Sequence, residues 1–214
     1  MAAHLPTILV LPGGGYSRLA PHEGKPVAEW LRSIGWNSRV VEYPVGTKHP
    51  APLLAIQSEI AKERALGAPL VGVLGFSAGG HLAGHAAVAP LAKPEERPDF
   101  AVLGYPVVTM TGETHAESRE NLIGLDANQF LREDTSLDLL VTPATPPMFI
   151  WHTAADKPVP VEAHSYPLAA ALAAARVRHE LHIFSDGKHG LGLANGTPAE
   201  AWQSLCEIWL SSLR

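Results

Sequence analysis

The feature that most constrains the fold is an apolar run that ends in a serine framed by glycines. Residues 70–74 (Leu-Val-Gly-Val-Leu) have the length and composition of a buried strand. They lead into Gly75-Phe-Ser77-Ala-Gly79, a G-x-S-x-G pattern, and an Ala/Gly-rich segment suited to a helix follows. A serine on a tight strand-to-helix turn needs neighbours without Cβ atoms. The pattern therefore predicts a nucleophile elbow that exposes the Ser77 hydroxyl; the alternative is a glycine turn with an idle serine.

Length and composition place the chain among compact globular proteins. It has 214 residues, 46% of them hydrophobic and 17% charged, which suits one domain spanning residues 1–214. The net charge of −5 comes without a cluster of lysine and arginine, so we expect no nucleic-acid partner. Cys206 is the sole cysteine, which excludes a disulfide framework and a thiolate metal site, and its helical pattern indicates a packing role.

The sequence also bears on the compartment. No apolar run approaches about 18 residues, so we expect no membrane partner. The first seven residues lack the basic start and the long apolar stretch of a signal peptide. We therefore expect a cytoplasmic protein.

Short apolar runs alternate along the chain with segments of helical periodicity. This alternation predicts an α/β protein, with a mostly parallel sheet of about six strands and helices on both faces. The predicted strands are 7–11, 39–43, 70–74, 100–104, 148–153 and 179–184, and the predicted helices are 24–34, 51–66, 78–89, 161–176 and 199–213. Residues 105–147 contain no clear strand, and their scattered apolar side chains predict an ordered, cap-like insertion, here called the cap segment.

A glycine-rich loop follows the first predicted strand. Three consecutive glycines, Gly13, Gly14 and Gly15, stand between Pro12 and Tyr16. A phosphate-binding loop is one interpretation, but neither G-x-G-x-x-G nor a Walker lysine-serine pattern is present. The other is an oxyanion loop, whose backbone N–H groups point at the oxygen of a tetrahedral intermediate. Because a nucleophile elbow follows later in the chain, we favour the second.

Three polar residues each come directly after a predicted strand. Ser77, Asp156 and His189 appear in the chain order of α/β-hydrolases, and parallel strands would bring them to one edge of the sheet. An imidazole can take the proton of a serine hydroxyl when a carboxylate orients it. The spacing therefore predicts a catalytic triad. Asp186, on the loop of His189, is a rival carboxylate, and Asp156 alone would otherwise be a loop-capping residue.

The predicted chemistry is acyl transfer. Ser77 attacks an acyl carbonyl with His189 as general base, and Asp156 orients the imidazole. The oxyanion is expected at the backbone N–H groups of Ala78 and of Gly14 or Gly15. Tyr16, His115 and Arg119 are the candidate substrate contacts.

Two histidines raise the question of a metal. His81 and His85 stand four residues apart on a predicted helix, but no glutamate follows the first as in H-E-x-x-H, and no third ligand is evident. Packing and hydrogen bonding are the favoured roles. We expect neither a metal nor a cofactor.

Four motifs together resemble one superfamily. They are Pro-Gly-Gly-Gly-Tyr at 12–16, Gly-Phe-Ser-Ala-Gly-Gly-His-Leu-Ala at 75–83, His-Thr-Ala-Ala-Asp at 152–156 and Gly-Lys-His-Gly-Leu-Gly at 187–192. The chain is similar over nearly its whole length, including His115, Ser118, Arg119 and Asn121, to the α/β-hydrolases, and within them to the bacterial acetyl-esterase/lipase-like group, whose members are also described as acetylxylan-esterase-like or as xylanases. The resemblance implies a carboxylesterase that removes acetyl groups from small sugars. A xylanase would need two carboxylates flanking a glycosidic bond.

The sequence departs from this group in two places. Pro-Gly-Gly-Gly replaces the His-Gly-Gly-Gly of many relatives, which leaves open which glycine donates to the oxyanion. The chain also begins almost at the first strand, without the leading strands of larger hydrolases, so one sheet edge would be bare and a homodimer is one way to cover it. Beside an esterase acting on a small-molecule ester, the alternatives are a small serine peptidase, a lactone hydrolase and a catalytically silent binding protein.

Overall fold

The computed structural model describes residues 5–214 and contains a six-stranded parallel sheet. The strands are β1 (Thr7–Leu11), β2 (Asn37–Val40), β3 (Val71–Phe76), β4 (Phe100–Gly104), β5 (Met148–Thr153) and β6 (His179–Phe184), in the spatial order β2-β1-β3-β4-β5-β6. All five pairings are parallel. The predicted α/β fold with about six strands is confirmed. Residues 1–4, which entered the signal-peptide argument, lie outside the described range.

Eight α-helices accompany the sheet within the described range. They are α1 (Lys25–Ser33), α2 (Ala51–Ala65), α3 (Ser77–Val88), α4 (Ala116–Ile123), α5 (Gln129–Asp134), α6 (Leu137–Leu140), α7 (Ser165–Ala174) and α8 (Trp202–Ser211). Side chains of one strand alternate between the two faces of a sheet. Accordingly Leu9 and Leu11 pack in the core with α2, α3 and α7, whereas Ile8 and Val10 pack with α1 and α8.

Several boundaries differ from the sequence-based expectation, and two of them are informative. We predicted the second strand at 39–43, but β2 spans Asn37–Val40, because its backbone pairs with β1 over these residues. The polar Ser38 is buried there and donates its hydroxyl to the carbonyl of Ala28. The helix predicted at 161–176 begins only at Ser165, since residues 160–164 form turns through the N–H groups of Ala163 and His164.

The cap segment contains three short helices, α4, α5 and α6. Leu137 of α6 is fully buried in the core cluster that contains α3. The side chains of His115 and Asn128 cap the N-termini of α4 and α5. The segment is therefore packed and ordered. That it forms an insertion within one domain of residues 1–214 stays a prediction.

Strand β2 has a neighbour on one side only, so it forms an edge of the sheet. A homodimer that covers this edge stays a prediction. None of the helices within residues 5–214 has the length and apolar character needed to cross a bilayer. The cytoplasmic location also stays a prediction.

Candidate active site

The turn between β3 and α3 holds Ser77 in a left-handed backbone conformation, with φ of +53°. Glycine is required on both sides by close backbone contacts. A Cβ atom on Gly75 would lie 2.1 Å from the carbonyl oxygen of Gly79, and one on Gly79 would lie 2.1 Å from that of Leu11. The glycines therefore allow the strand, the helix and β1 to approach closely enough to form the elbow.

Ser77, His189 and Asp156 form one chain of hydrogen bonds at the carboxyl edge of the sheet. Ser77 Oγ lies 2.8 Å from His189 Nε2, and His189 Nδ1 lies 2.7 Å from Asp156 Oδ2. A carboxylate accepts, so Nδ1 carries the proton and Nε2 is free to accept from the serine hydroxyl. The rival Asp186 is exposed and accepts from Ser185 Oγ. The structure thus brings the predicted three together and leaves Asp186 outside.

Asp156 is buried and receives further hydrogen bonds from its own loop. The Val159 N–H donates to Oδ1 at 3.0 Å, and His152 Nε2 lies 3.3 Å from Oδ2. His152 is itself fixed by Ser165 Oγ and by the carbonyl of Val159. Burial raises the pKa of Asp156, but hydrogen bonds from His152 and then His189 outweigh this effect and lower the pKa to about 2. The carboxylate therefore stays ionised to strongly acidic pH.

This pKa predicts an acid-dependent loss of stability. The folded pKa of Asp156 is about 2 and lies below its usual 3.8, so ionised Asp156 stabilises the folded state. That contribution is complete above about pH 5 and is lost as the pH falls through 2. We expect Asp156→Asn to remove roughly 1–2 kcal/mol from the pH dependence of the unfolding free energy between pH 5 and 2. Urea unfolding across this range measures it. An Asp156→Asn slope equal to the wild-type slope would contradict the prediction.

The glycine-rich loop presents backbone N–H groups next to Ser77. Gly14 and Gly15 have φ of +126° and +63°, and no side chain or backbone acceptor for their N–H groups occurs within residues 5–214. Ala78 is the second residue of α3, where N–H groups have no partner within the helix. Among residues 5–214, the three predicted oxyanion donors are therefore unpaired.

A cavity of about 170 Å³ opens at this point. Ser77, His189 and the glycine-rich loop line the cavity. The lining also includes the polar residues Arg18, His22, Glu23, His115 and Glu117. The ring of His115 is stacked on that of His189 with centroids 6.3 Å apart. Burial, and next the charge of His189, lowers the pKa of His115. His115 is therefore a neutral hydrogen-bonding group at neutral pH.

Comparison with known proteins identifies the family. Residues 36–211 match the prolyl oligopeptidase family. The chain belongs to the prolyl oligopeptidase family. One similar solved structure is that of an acetyl ester-xyloside bifunctional hydrolase from Caldicellulosiruptor lactoaceticus. It is 42% identical in sequence to this chain, and the two structures superpose with a TM-score of 0.92 over 100% of this chain and 85% of the other.

Two curated relatives are longer proteins. One is an endo-1,4-beta-xylanase B from Butyrivibrio fibrisolvens, 34% identical over 91% of this chain and 34% of that protein. The other is an acetylxylan esterase from Xylanibacter ruminicola, 31% identical over 86% of this chain and 41% of that protein. The chain thus spans less than half the length of these relatives. Together they confirm the resemblance to the acetylxylan-esterase-like group of α/β-hydrolases.

Two of the three candidate substrate contacts lie elsewhere in this prolyl oligopeptidase family member. The side chain of Tyr16 is fully buried, because the backbone φ of +61° directs it between Tyr43 and His81 rather than into the cavity. The guanidinium of Arg119 donates to the carbonyl of Gly112. Only His115 of the three lines the cavity.

His81 serves as a structural connector. Its Nε2 donates to the carbonyl of Thr135, and its Nδ1 accepts from the hydroxyl of Tyr16, both at 2.7 Å. Burial lowers the pKa of His81 to about 4, and burial also holds the pKa of His85 well below its usual value. Neither nitrogen of His81 is available to a metal ion, and within residues 5–214 no group of three or more His, Cys, Asp or Glu could hold one.

Sequence reasoning missed two residues that hold the glycine-rich loop. Glu23 is 2% exposed and accepts from the Gly13 N–H, and Asn121 Nδ2 donates to the Gly15 carbonyl. Glu23 stands in a polar turn that resembles solvent-exposed sequence, so nothing local indicates its burial. Asn121 stands among the polar residues of the cap segment, and no local pattern indicates its contact with Gly15.

Proposed function

We propose that this chain is a serine carboxylesterase that removes short acyl groups, mainly acetyl, from acetylated sugars. The observation that carries the proposal is the chain of hydrogen bonds from Ser77 through His189 to Asp156, next to a small cavity with unpaired N–H groups. The relatives named for acetyl esters and acetylxylan support the choice of substrate.

The geometry suits a two-step acyl transfer. His189 Nε2 takes the proton as Ser77 Oγ attacks the acyl carbonyl, and Asp156 stabilises the imidazolium. The oxyanion forms near the N–H groups of Gly14, Gly15 and Ala78, where losing one donor typically costs about 3 kcal/mol. His189 then protonates the leaving sugar hydroxyl, and water hydrolyses the acyl-enzyme by the same route.

The lining of the cavity matches the two parts of such a substrate. Its volume of about 170 Å³ is small, which favours a short acyl group. Arg18, His22, His115 and Glu117 supply hydrogen-bond donors and acceptors suited to sugar hydroxyls.

The small cavity predicts a preference for short acyl chains. Each methylene beyond the available space must displace packed atoms, so we expect kcat/KM to fall by about 10- to 100-fold from the p-nitrophenyl acetate to the octanoate ester, with butyrate between them. Initial rates normalised to fluorophosphonate-labelled enzyme provide the measurement. Equal kcat/KM values for acetate and octanoate would contradict a short-chain site.

The decisive test is acetate release from acetylated xylo-oligosaccharides, with Ser77→Ala as the control. An aminoacyl p-nitroanilide tests the second candidate, a serine peptidase, which the family match favours. Turnover of the anilide alone would favour the peptidase, and turnover of a lactone alone would favour a lactone hydrolase. Failure of a fluorophosphonate probe to label Ser77 in the folded protein would favour a silent binding protein.

Glycoside hydrolysis fits this site less well than ester hydrolysis. It needs two carboxyl groups flanking the scissile bond. Glu117 and Glu23 are the carboxylates lining the cavity beside Ser77, but Glu23 is buried and already accepts hydrogen bonds from Gly13 and Tyr105. The names of two relatives include an activity on xylosidic bonds. Release of xylose from unacetylated xylo-oligosaccharides would support glycoside hydrolysis by this chain as well.

A further inference from the structure

We propose that Glu23 is a positioning residue that fixes the oxyanion loop (residues 12–16) relative to the histidine loop (residues 185–192). This inference rests on the proposed function, because it assigns Glu23 to the geometry of the transition state. Glu23 ends a short 3₁₀ turn, Pro21–Glu23, and is 2% exposed, although part of it lines the cavity beside Ser77.

On the oxyanion side, Glu23 and Tyr43 hold the same peptide group from opposite ends. Glu23 Oε2 accepts from the Gly13 N–H at 2.7 Å, and the Tyr43 hydroxyl donates to the Pro12 carbonyl at 2.6 Å. A Cβ on Gly13 would lie 3.0 Å from Ser77 Cβ, so this peptide abuts the elbow. Its orientation sets where the next N–H, that of Gly14, points.

On the histidine side, Glu23 acts through Tyr105. The Tyr105 hydroxyl donates to Glu23 Oε1 at 2.6 Å and accepts from the Gly192 N–H at 2.7 Å. The ring of Tyr105 packs edge-on against that of His189, with centroids 5.0 Å apart. One carboxylate therefore connects the loop that carries the oxyanion donors to the loop that carries the general base.

The neighbouring His22 strengthens this connection. Its Nε2 lies 3.0 Å from the carbonyl of Gly190, the residue after His189, and 3.7 Å from Glu23 Oε1. A buried carboxylate is costly unless hydrogen bonds replace its hydration. Here one carboxylate oxygen accepts from Gly13 of the oxyanion loop, and the other accepts from Tyr105, whose hydroxyl accepts from Gly192 of the histidine loop. Preorganised transition-state stabilisation requires groups that are held in place in this way.

The test compares Glu23→Gln and Glu23→Ala with the wild type on p-nitrophenyl acetate. The amide keeps the shape but has one acceptor oxygen, so it cannot accept from both Gly13 and Tyr105. We expect kcat per titrated active site to fall a few-fold for Glu23→Gln and about 10- to 100-fold for Glu23→Ala, with little change in KM, because the loss falls on the transition state.

A trifluoromethyl ketone, which forms a tetrahedral oxyanion adduct with the serine, separates positioning from mere folding. If Glu23 positions the donors, the inhibition constant rises by the same factor as kcat/KM falls. If the variants only contain less folded protein, the inhibition constant and the rate per labelled site stay at wild-type values. We also expect Glu23→Gln and Tyr105→Phe to be non-additive in kcat/KM, since both interrupt one connection.

Glu63 provides a matched control. It is another buried glutamate, 8% exposed, and it lies on α2. Its carboxylate accepts a hydrogen bond from Arg39 Nε at 2.8 Å. Glu63→Gln should lower the melting temperature while kcat per labelled site stays unchanged. If both Glu23 variants behave like Glu63→Gln, the inference is overturned. Should Glu23→Ala fail to fold, Glu23→Gln and the inhibitor decide alone. A wild type without labelling or turnover would instead overturn the proposed function.

Discussion

Replacing Ser77 with alanine is expected to lower kcat on p-nitrophenyl acetate by about 10⁴-fold or more. The variant retains the oxyanion donors and the cavity but has no oxygen to form the acyl-enzyme. Its fold should be unaffected. Within the described part of the chain the Ser77 hydroxyl bonds only to His189, and alanine meets the same backbone strain at φ of +53°. The measurement is turnover together with fluorophosphonate labelling, which should disappear in the same variant.

A control substitution at another serine tests whether the loss of turnover is specific to Ser77. Ser33 is exposed, and its hydroxyl donates to the carbonyl of Trp30 far from the cavity. Ser33→Ala should keep wild-type turnover and labelling. Suppose that the Ser77→Ala variant is folded, as shown by an unchanged circular dichroism spectrum, and still hydrolyses the substrate at the wild-type rate. Another group would then be the nucleophile.

Replacing Gly79 with alanine is the substitution expected to damage the fold most. The new Cβ would lie 2.1 Å from the Leu11 carbonyl oxygen and 2.4 Å from that of Pro12, and neither backbone group can rotate away. The end of β1 and the oxyanion loop must move together. Overpacking of this kind costs about 1–3 kcal/mol or more, so we expect a clear fall in the urea midpoint and loss of activity.

Gly46 separates the clash from the general cost of losing a glycine. It has φ of +66°, and a Cβ there meets nothing within 4 Å. Gly46→Ala should therefore cost only about 1–2 kcal/mol, the penalty of a left-handed backbone, and leave kcat intact. If Gly79→Ala unfolds no more readily than Gly46→Ala and stays active, the close approach of α3 and β1 is not needed for the elbow.

The sequence predicted those parts of the site that depend on local pattern. The elbow, Asp156 and His189 each follow a strand whose apolar run is unmistakable, and parallel strands place their carboxyl ends together. The boundaries of β1, β5 and β6 were predicted to the residue for the same reason. The fold class can be predicted from the repeated alternation of apolar strands and helical segments, because this alternation does not depend on any single contact.

The remainder depends on contacts between residues distant in sequence. Glu23 meets Tyr105 across 82 positions, and Asn121 meets Gly15 across 106, so no local pattern distinguishes them from solvated polar residues. Tyr16, the last residue of the oxyanion loop, was predicted to contact substrate, but its positive φ, which is unusual for a tyrosine, turns its side chain into the core. In the cap segment, α5 and α6 have six and four residues and lack the two full turns that would make a periodic pattern visible, and α4 with eight residues barely exceeds two turns.

The loops that carry the proposed catalytic residues all lie at one edge of the sheet. This placement affects how the protein could be immobilised on a support. Coupling through surface amines would engage Lys157 and Lys188, which line a cleft beside His189 and would tether the support across the entrance. Cys206 is buried, so maleimide coupling leaves the native chain unmodified. A cysteine introduced in the exposed turn at Leu66, next to the amino end of β3, would attach the protein to a resin by its opposite side.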